Sequence, residues 1–245
     1  FLRTDHSLWG MGYDVHGQLG NGTTSVKRPT PVQVTTDVAA IAAGASHSLI
    51  LKTDGTLWTT GYNSDGQLGN GTTSSLSTPV QVATDVLTIA AGDDHSLFLK
   101  SDATLWAMGN NGSGQLGDGT NTDRHAPVQV AVNVAAVAAG GYHTLFVRTD
   151  GSLWAAGSDN YGQLGDGTYG YRLTPVQVAT GVRAVEAGES HSLFLRTDGS
   201  LWAMGNNGSG QLGDGTTTNR LTPVQVAVSV SAIAAGESHS MFIKA

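Results

Sequence analysis

Three observations predict an all-β chain of the β-propeller class, built from four-stranded antiparallel blades. A Trp recurs at positions 9, 58, 106, 154 and 202. A His followed by Ser or Thr recurs at 47, 95, 143, 191 and 239, and a Pro-Val-Gln-Val begins at 31, 79, 127, 175 and 223. The His and Pro intervals are 48 residues throughout, and only the first Trp interval is 49, the extra residue lying between Gly22 and Pro31. A period of about 40–50 residues that reads as short strands between Gly-rich turns is the sequence sign of a propeller blade. Composition agrees: 34 of 245 residues are Gly and only 13% are charged. No apolar run approaches the length of about 20 residues that a transmembrane helix needs.

The last complete unit shows each element in order. Val182 to Gly188 is a stretch of small residues, expected as the innermost strand, where blades crowd an axis and bulky side chains do not fit. His191 to Arg196 alternates apolar and polar as a half-buried strand does. Thr197-Asp198-Gly199 is a hairpin turn, with Gly supplying the positive φ of a tight turn. Ser200 to Gly205 is the third strand and Thr222 to Ala227 the fourth. Pro223 has no amide to donate to a ladder, which places this strand at the outer edge. No segment has helical periodicity long enough to compete.

Residues 191 to 213, His-Ser-Leu-Phe-Leu-Arg-Thr-Asp-Gly-Ser-Leu-Trp-Ala-Met-Gly-Asn-Asn-Gly-Ser-Gly-Gln-Leu-Gly, closely resemble the repeat of the RCC1 (regulator of chromosome condensation) family, in its bacterial form. Gly-x-x-His, Asp-Gly, Trp and Gly-Gln-Leu-Gly occur in that order in register along the chain, so the resemblance covers all five units. Residues 1–245 are therefore read as a single domain. Five units and the insertion leave four residues over, and Phe1-Leu2-Arg3-Thr4 matches Phe242-Ile243-Lys244-Ala245. The expected closure is a composite fifth blade, with 230–244 supplying the inner strands and 6–35 the outer ones. Both termini claim the same second strand, and the familiar family members close with seven blades. The alternative is an open five-repeat arc, or part of a seven-bladed ring, and the chain is then a monomer or a self-assembling arc accordingly.

Charge and residue types narrow the function. With 19 acids, 12 bases and a net charge of −7, the chain lacks the basic footprint that nucleic acid requires, and anionic membranes repel it. It has no Cys, which removes disulfides, zinc thiolates and cysteine nucleophiles. The compartment stays open, with an extracellular or cell-surface place in a bacterium as the expectation; the chain starts at Phe1, so no signal peptide is expected in it.

The repeated histidines are expected to be structural, each bonded to backbone in its own blade. Residues one blade apart are separated by about 10 Å, too far to share a metal. The Trp residues are expected in the core between blades. Gly-Gln-Leu-Gly-Asp-Gly lacks the strand, loop and helix setting of a phosphate loop and reads as tight turns. The Asp-Gly-Thr segments, as at Asp118 to Asp123, offer oxygen ligands but not the spacing of a known calcium loop, so no metal and no cofactor is expected. Ser48, Ser96, Ser192 and Ser240 each follow a His, and adjacent strand residues point to opposite faces, so these pairs are not nucleophile and base. The chain is read as no enzyme. The Asn-Gly-Ser/Thr sequons at Asn21, Asn70, Asn111 and Asn207 read as turn residues.

The loops between first and second strands and between third and fourth strands emerge on one face, which carries most of the variation between units. Tyr142, Tyr161, Tyr169 and Tyr171 all fall on that face within 30 residues. Tyr gives rigid contact area with a polar tip. With Asp93 and Asp94 on the adjoining blade and Arg124 and Arg172 flanking, they form the expected partner-binding patch. The leading function is a non-enzymatic protein-binding scaffold. The resemblance supports that class, since related propellers include an exchange factor for a small GTPase, a plant photoreceptor and a bacterial β-lactamase inhibitor. The alternative is a carbohydrate-binding, lectin-like propeller, which would reuse one glycan site in most units, whereas these tyrosines cluster.

Overall fold

The computed structural model describes residues 1–245 and contains twenty strands and no helix. The chain divides into two compact units: Phe1–Asn110 with Asp123–Gln129, and Asn111–Thr122 with Val130–Ala245. Unit 1 holds β1 (Leu8–Asp14) and β2 (Ser25–Thr35) as a two-stranded sheet. Its first four-stranded sheet is β3 (Val38–Ala43), β4 (His47–Lys52), β5 (Leu57–Gly61) and β6 (Leu76–Ala83). The next is β7 (Val86–Ala91), β8 (His95–Lys100), β9 (Leu105–Gly109) and β10 (Arg124–Ala131), whose last two residues belong to the second unit.

Unit 2 repeats the plan with β11 (Val134–Ala139), β12 (His143–Arg148), β13 (Leu153–Ser158) and β14 (Tyr171–Ala179). Then come β15 (Val182–Ala187), β16 (His191–Arg196), β17 (Leu201–Gly205) and β18 (Arg220–Ala227), and finally β19 (Val230–Ala235) with β20 (Ser240–Lys244) as a two-stranded sheet. Strand order within each four-stranded sheet follows the sequence, so the Ala-rich strand forms one edge and the Pro-bearing strand the other. The Pro ring thus sits where no inward ladder bond is lost.

The register is the same in every unit. His191 faces Gly205, Phe194 faces Trp202 and Leu195 faces Leu201, as His47, Ile50 and Leu51 face Gly61, Trp58 and Leu57. Third and fourth strands slip twice in each complete pair, and β1–β2 slips a third time between Gly12 and Asp14. The inserted residue is absorbed there, as a bulge in an 11-residue β2.

Second strands are buried on both faces and carry the core. In unit 1 Leu49, Leu51, Leu57, Val86, Phe98 and Met108 pack together, joining the β3 and β7 sheets. In unit 2 Leu145, Leu153, Leu164, Val182, Val185, Phe194 and Met204 do the same for the β11 and β15 sheets. Phe98 and Phe194 stack on Trp106 and Trp202 at 6.2 and 6.1 Å with ring planes 5° apart. β20 is the exception: Met241, Phe242 and Ile243 are 45–64% exposed, although Leu193, Phe194 and Leu195 at the same positions of β16 are buried. At the other end, Phe1 and Leu2 lie along β1, with the Trp9 amide donating to the Phe1 carbonyl at 3.0 Å and Leu2 bridging Leu8.

The tryptophans are half-buried, at the margin of the core. Each indole Nε1 donates at 2.9 Å to the hydroxyl two residues earlier, as Trp202 does to Ser200, and that hydroxyl donates at 2.6 Å to Asp198. Arg3, Lys100, Arg148 and Arg196 cover the rings of Trp9, Trp106, Trp154 and Trp202 at 4.3–5.2 Å. A ring bonded through its edge to a surface turn stays partly exposed while its face rests on the core, as Trp58, Trp106 and Trp202 rest on the buried clusters of Ile50, Phe98 and Phe194. The residue that fills the core at this level is the Phe beside it.

Candidate interaction face

The end of each sheet where the second strand begins and the third strand ends is held by polar side chains from neighbouring repeats. His47 Nε2 lies 2.9 Å from Ser96 Oγ, His143 Nε2 from Ser192 Oγ and His191 Nε2 from Ser240 Oγ, each pair 49 residues apart. The serine hydroxyls donate onward to the carbonyls of Gln67, Gln163 and Gln211. A hydroxyl that donates to a carbonyl accepts from its other neighbour, so Nε2 carries the proton. These three histidines are structural as expected, but the partner of each Nε2 is a side chain of the next repeat and not backbone of its own. Burial drives His47 and His191 down to about 4 and His95 to about 3. They are neutral at pH 7.

Gly-Gln-Leu-Gly forms a tight turn against the fourth strand one repeat on. Gly66 has φ +82, and a Cβ there would stand 2.5 Å from the His125 Cα. The Gln side chain stays inside, its Oε1 accepting from the amide two residues earlier, as Gln163 does from Tyr161. These glycines serve backbone approach and not phosphate. No group of three or more His, Cys, Asp or Glu side chains converges anywhere in the chain.

The four tyrosines lie at one end of the β11–β14 sheet. Tyr142 precedes β12, whose first residue His143 pairs with Gly157, and Tyr171 opens β14 opposite Ser158. Tyr161 sits in the Gln163 turn and Tyr169 in the loop after Asp166. All four are exposed, at 42–63%.

Across these loops one sequence pattern governs every repeat. The profile of the RCC1-like domain matches residues 1–245. The chain belongs to the RCC1-like domain family. Among solved structures it is similar to human WBSCR16, with 25% identity, a TM-score of 0.88 and 98% of this chain against 68% of that one. It is also similar to yeast RCC1 (Prp20) in its complex with Kap60, at 23% identity and TM-score 0.86, covering 99% of this chain and 65% of that one. The Saccharomyces cerevisiae Prp20p, described with its binding to Gsp1p and histones, matches at 23% and 0.85, covering 99% and 66%. The chain spans about two thirds of the length of these structures. The fold is therefore the RCC1 β-propeller class. No curated protein sequence matches the chain.

In this RCC1-like chain the residues expected to form the patch are divided between the two units. Asp93, Asp94 and Arg124 belong to unit 1, and the tyrosines and Arg172 to unit 2. Asp94 accepts from Gln67 Nε2 at 3.0 Å, and burial, then Asp65, raises its carboxyl. Arg172 is committed to its own loop: Nε donates to Asp166 Oδ2 at 2.6 Å and Nη2 to Thr168 Oγ1 at 2.7 Å. Arg220 pairs identically with Asp214, at 2.6 Å. Burial pushes the Asp159 carboxyl up to about 7, against the Leu164 amide that favours its charged form, and Asp166 adds to the rise.

A second aromatic group was not anticipated. In unit 1 His16 lies 4.7 Å from Tyr62 and 6.5 Å from Tyr13, ring centre to ring centre. The signal was present, since Tyr13 and Tyr62 each follow the last Gly of a third strand.

Proposed function

We propose that this RCC1-like chain is a non-enzymatic scaffold that binds a protein partner through the loop ends of its sheets. The observation that carries the reading is the set of Tyr142, Tyr161, Tyr169 and Tyr171, all exposed at one end of one sheet. Isolated exposed aromatics are ordinary, but four in one repeat, with Ser, Thr, Asn or Gly at most equivalent positions, make an anchor surface. Arg172 acts in this reading by holding the 166–172 loop that presents Tyr169 and Tyr171, and Asp93, Asp94 and Arg124 supply charge on unit 1. Yeast RCC1 is captured with Kap60, and Prp20p is described with Gsp1p and histones, which supports protein binding as the class.

The test is affinity capture from the source cells with the wild-type chain and the Tyr169→Ala/Tyr171→Ala variant, followed by affinity measurement. Loss of an anchor of about 2 kcal/mol or more weakens binding roughly 30-fold, with unfolding unchanged. Equal binding by the variant overturns the assignment, and retention of a glycan on an array in place of any protein would favour a sugar-binding face.

We propose further that 230–244 and 6–35 are complementary halves of one blade. The ladder that sets Phe194 opposite Trp202 would set Phe242 opposite Trp9, once Phe1 and Leu2 leave that place. A compact monomer by light scattering supports this pairing within one chain. A discrete oligomer overturns it.

A further inference from the structure

One position in the connection from third to fourth strand alternates between amide and acid along the repeats: Asp14, Asn63, Asn111, Asp159 and Asn207. In the Asn units the side chain has a fixed task. The Leu212 amide donates to Asn207 Oδ1 at 3.0 Å, which turns Nδ2 into a cradle of four oxygens. These are Asp214 Oδ1 at 3.0 Å, Thr216 O at 3.1 Å, Thr216 Oγ1 at 3.3 Å and Thr218 O at 3.1 Å. Asn111 meets Asp118, Thr120 and Thr122 at 3.1–3.3 Å in the same way, and Asn63 meets Asn70, Thr72 and Ser74 at 3.0–3.4 Å.

At Asp159 the scaffold is kept and the donor is gone. The Leu164 amide still donates to Oδ1, at 2.8 Å, so Oδ2 stands where the amide nitrogen stands in the sibling units. Thr168 still donates through N and Oγ1 to Asp166 Oδ1, as Thr216 does to Asp214. Gly170 O is held at the site by the Asp159 amide, at 2.7 Å. Asp159 is 1% exposed, and its Oδ2 has no hydrogen-bond partner. A buried carboxylate oxygen with no donor beside it takes up either a proton or a cation.

We propose that the Asp159 loop binds a hard divalent cation of the calcium type. By the spacing of the sibling units its ligands are Asp159 Oδ2, Asp166 Oδ1, Thr168 O and Oγ1, and Gly170 O. Five oxygens with no nitrogen suit a hard ion. The sibling separations of 3.0–3.3 Å match the edges of a coordination shell whose metal–oxygen distances are about 2.3–2.6 Å. Arg172 offsets one of the two carboxylates, leaving a net charge of −1, which places the affinity toward the millimolar end of the calcium range, about 10⁻⁴–10⁻³ M. Asp14 also has an unpartnered buried Oδ2, but the residue seven places on is Asn21 in place of a second acid.

The probe is Tb³⁺, a calcium surrogate excited through nearby Tyr161 and Tyr169, titrated into the wild-type chain and into Asp159→Asn at pH 7.5. Wild type should give a saturable luminescence that Ca²⁺ displaces, and the variant should bind at least about tenfold more weakly. The variant restores the residue that three sibling units carry, so it should fold, and its thermal midpoint should not respond to Ca²⁺ while that of wild type rises. Equal Tb³⁺ affinity in both proteins, or no response of wild type to either ion, overturns the proposal and leaves a proton shared by Asp159 and Asp166 in the cradle.

Discussion

Protonating the buried histidines should be a main route by which acid unfolds unit 1. His47 is buried, its Nε2 is used by Ser96, and its Nδ1 has no acceptor, so a second proton on the ring gains no bond to offset desolvation. Its affinity for that proton falls from the ordinary value of 6.5 to about 4, and that of His95 to about 3. A base whose folded value is depressed contributes stability that is complete above pH 6.5 and is lost as pH falls through the window from 6.5 to 4 or 3. Integration from pH 7 to pH 5 gives a loss of about 2 kcal/mol for each of the two. Together that is a large part of the roughly 5–15 kcal/mol that holds a domain. The assay is urea unfolding followed by Trp fluorescence at pH 7 and pH 5, on wild type and His47→Gln. Gln keeps a donor for Ser96 Oγ and does not titrate. The loss of stability between the two pH values should be smaller in the variant by about 2 kcal/mol, near 1 M in urea midpoint. Titrating groups that do not interact with His47 cancel in that difference; His95, which His47 also lowers, is the exception. An identical loss in both proteins would refute the reasoning.

Two further outcomes follow from backbone geometry. Ala103 holds φ +63 in a hairpin turn where Gly55, Gly151 and Gly199 hold +78 to +80, so Ala103→Gly should raise stability by up to about 1 kcal/mol, read as a higher thermal midpoint. Gly205 has φ +103, and a Cβ there would lie 2.7 Å from the Ser190 carbonyl, with backbone on both sides. Gly205→Ala should cost more than about 2 kcal/mol by denaturant titration, and a loss under 0.5 kcal/mol would show that the sheet end yields.

Much of the fold was legible before the structure because it is local. The strand at His191 to Arg196 was read to the residue, and β15, β17 and β18 differ from the expected bounds by one or two residues. The 48-residue period, the edge position of the Pro strand and the Asp-Gly turns all follow from rules that act within a few residues. The Trp residues reach the core only with one face, as Trp58, Trp106 and Trp202 do, whereas the alternation of the strand reads as full burial. The hydroxyl two residues earlier and the cation above the ring draw it to the surface.

The site divides along the same line. That four tyrosines share one variable face was readable from the alternation of strand direction. That Arg172 is bound to Asp166, and that Asp159 Oδ2 is left without a donor, required the loops to be folded. So did the pairing of His47, His143 and His191 with a Ser 49 residues on.

What the amino-acid order determined by itself is the repeat, the strands, their sequence within each sheet and the residues that turn them. Those are set by backbone sterics and period-two patterning, which neighbouring residues decide among themselves. Only the tertiary structure decided which polar group answers which: His47 with Ser96, Trp202 with Ser200 and Arg196, and Asp159 Oδ2 with no partner. The energy of a buried polar atom depends on what lies 3 Å away in space, and three-dimensional packing alone brings that neighbour there.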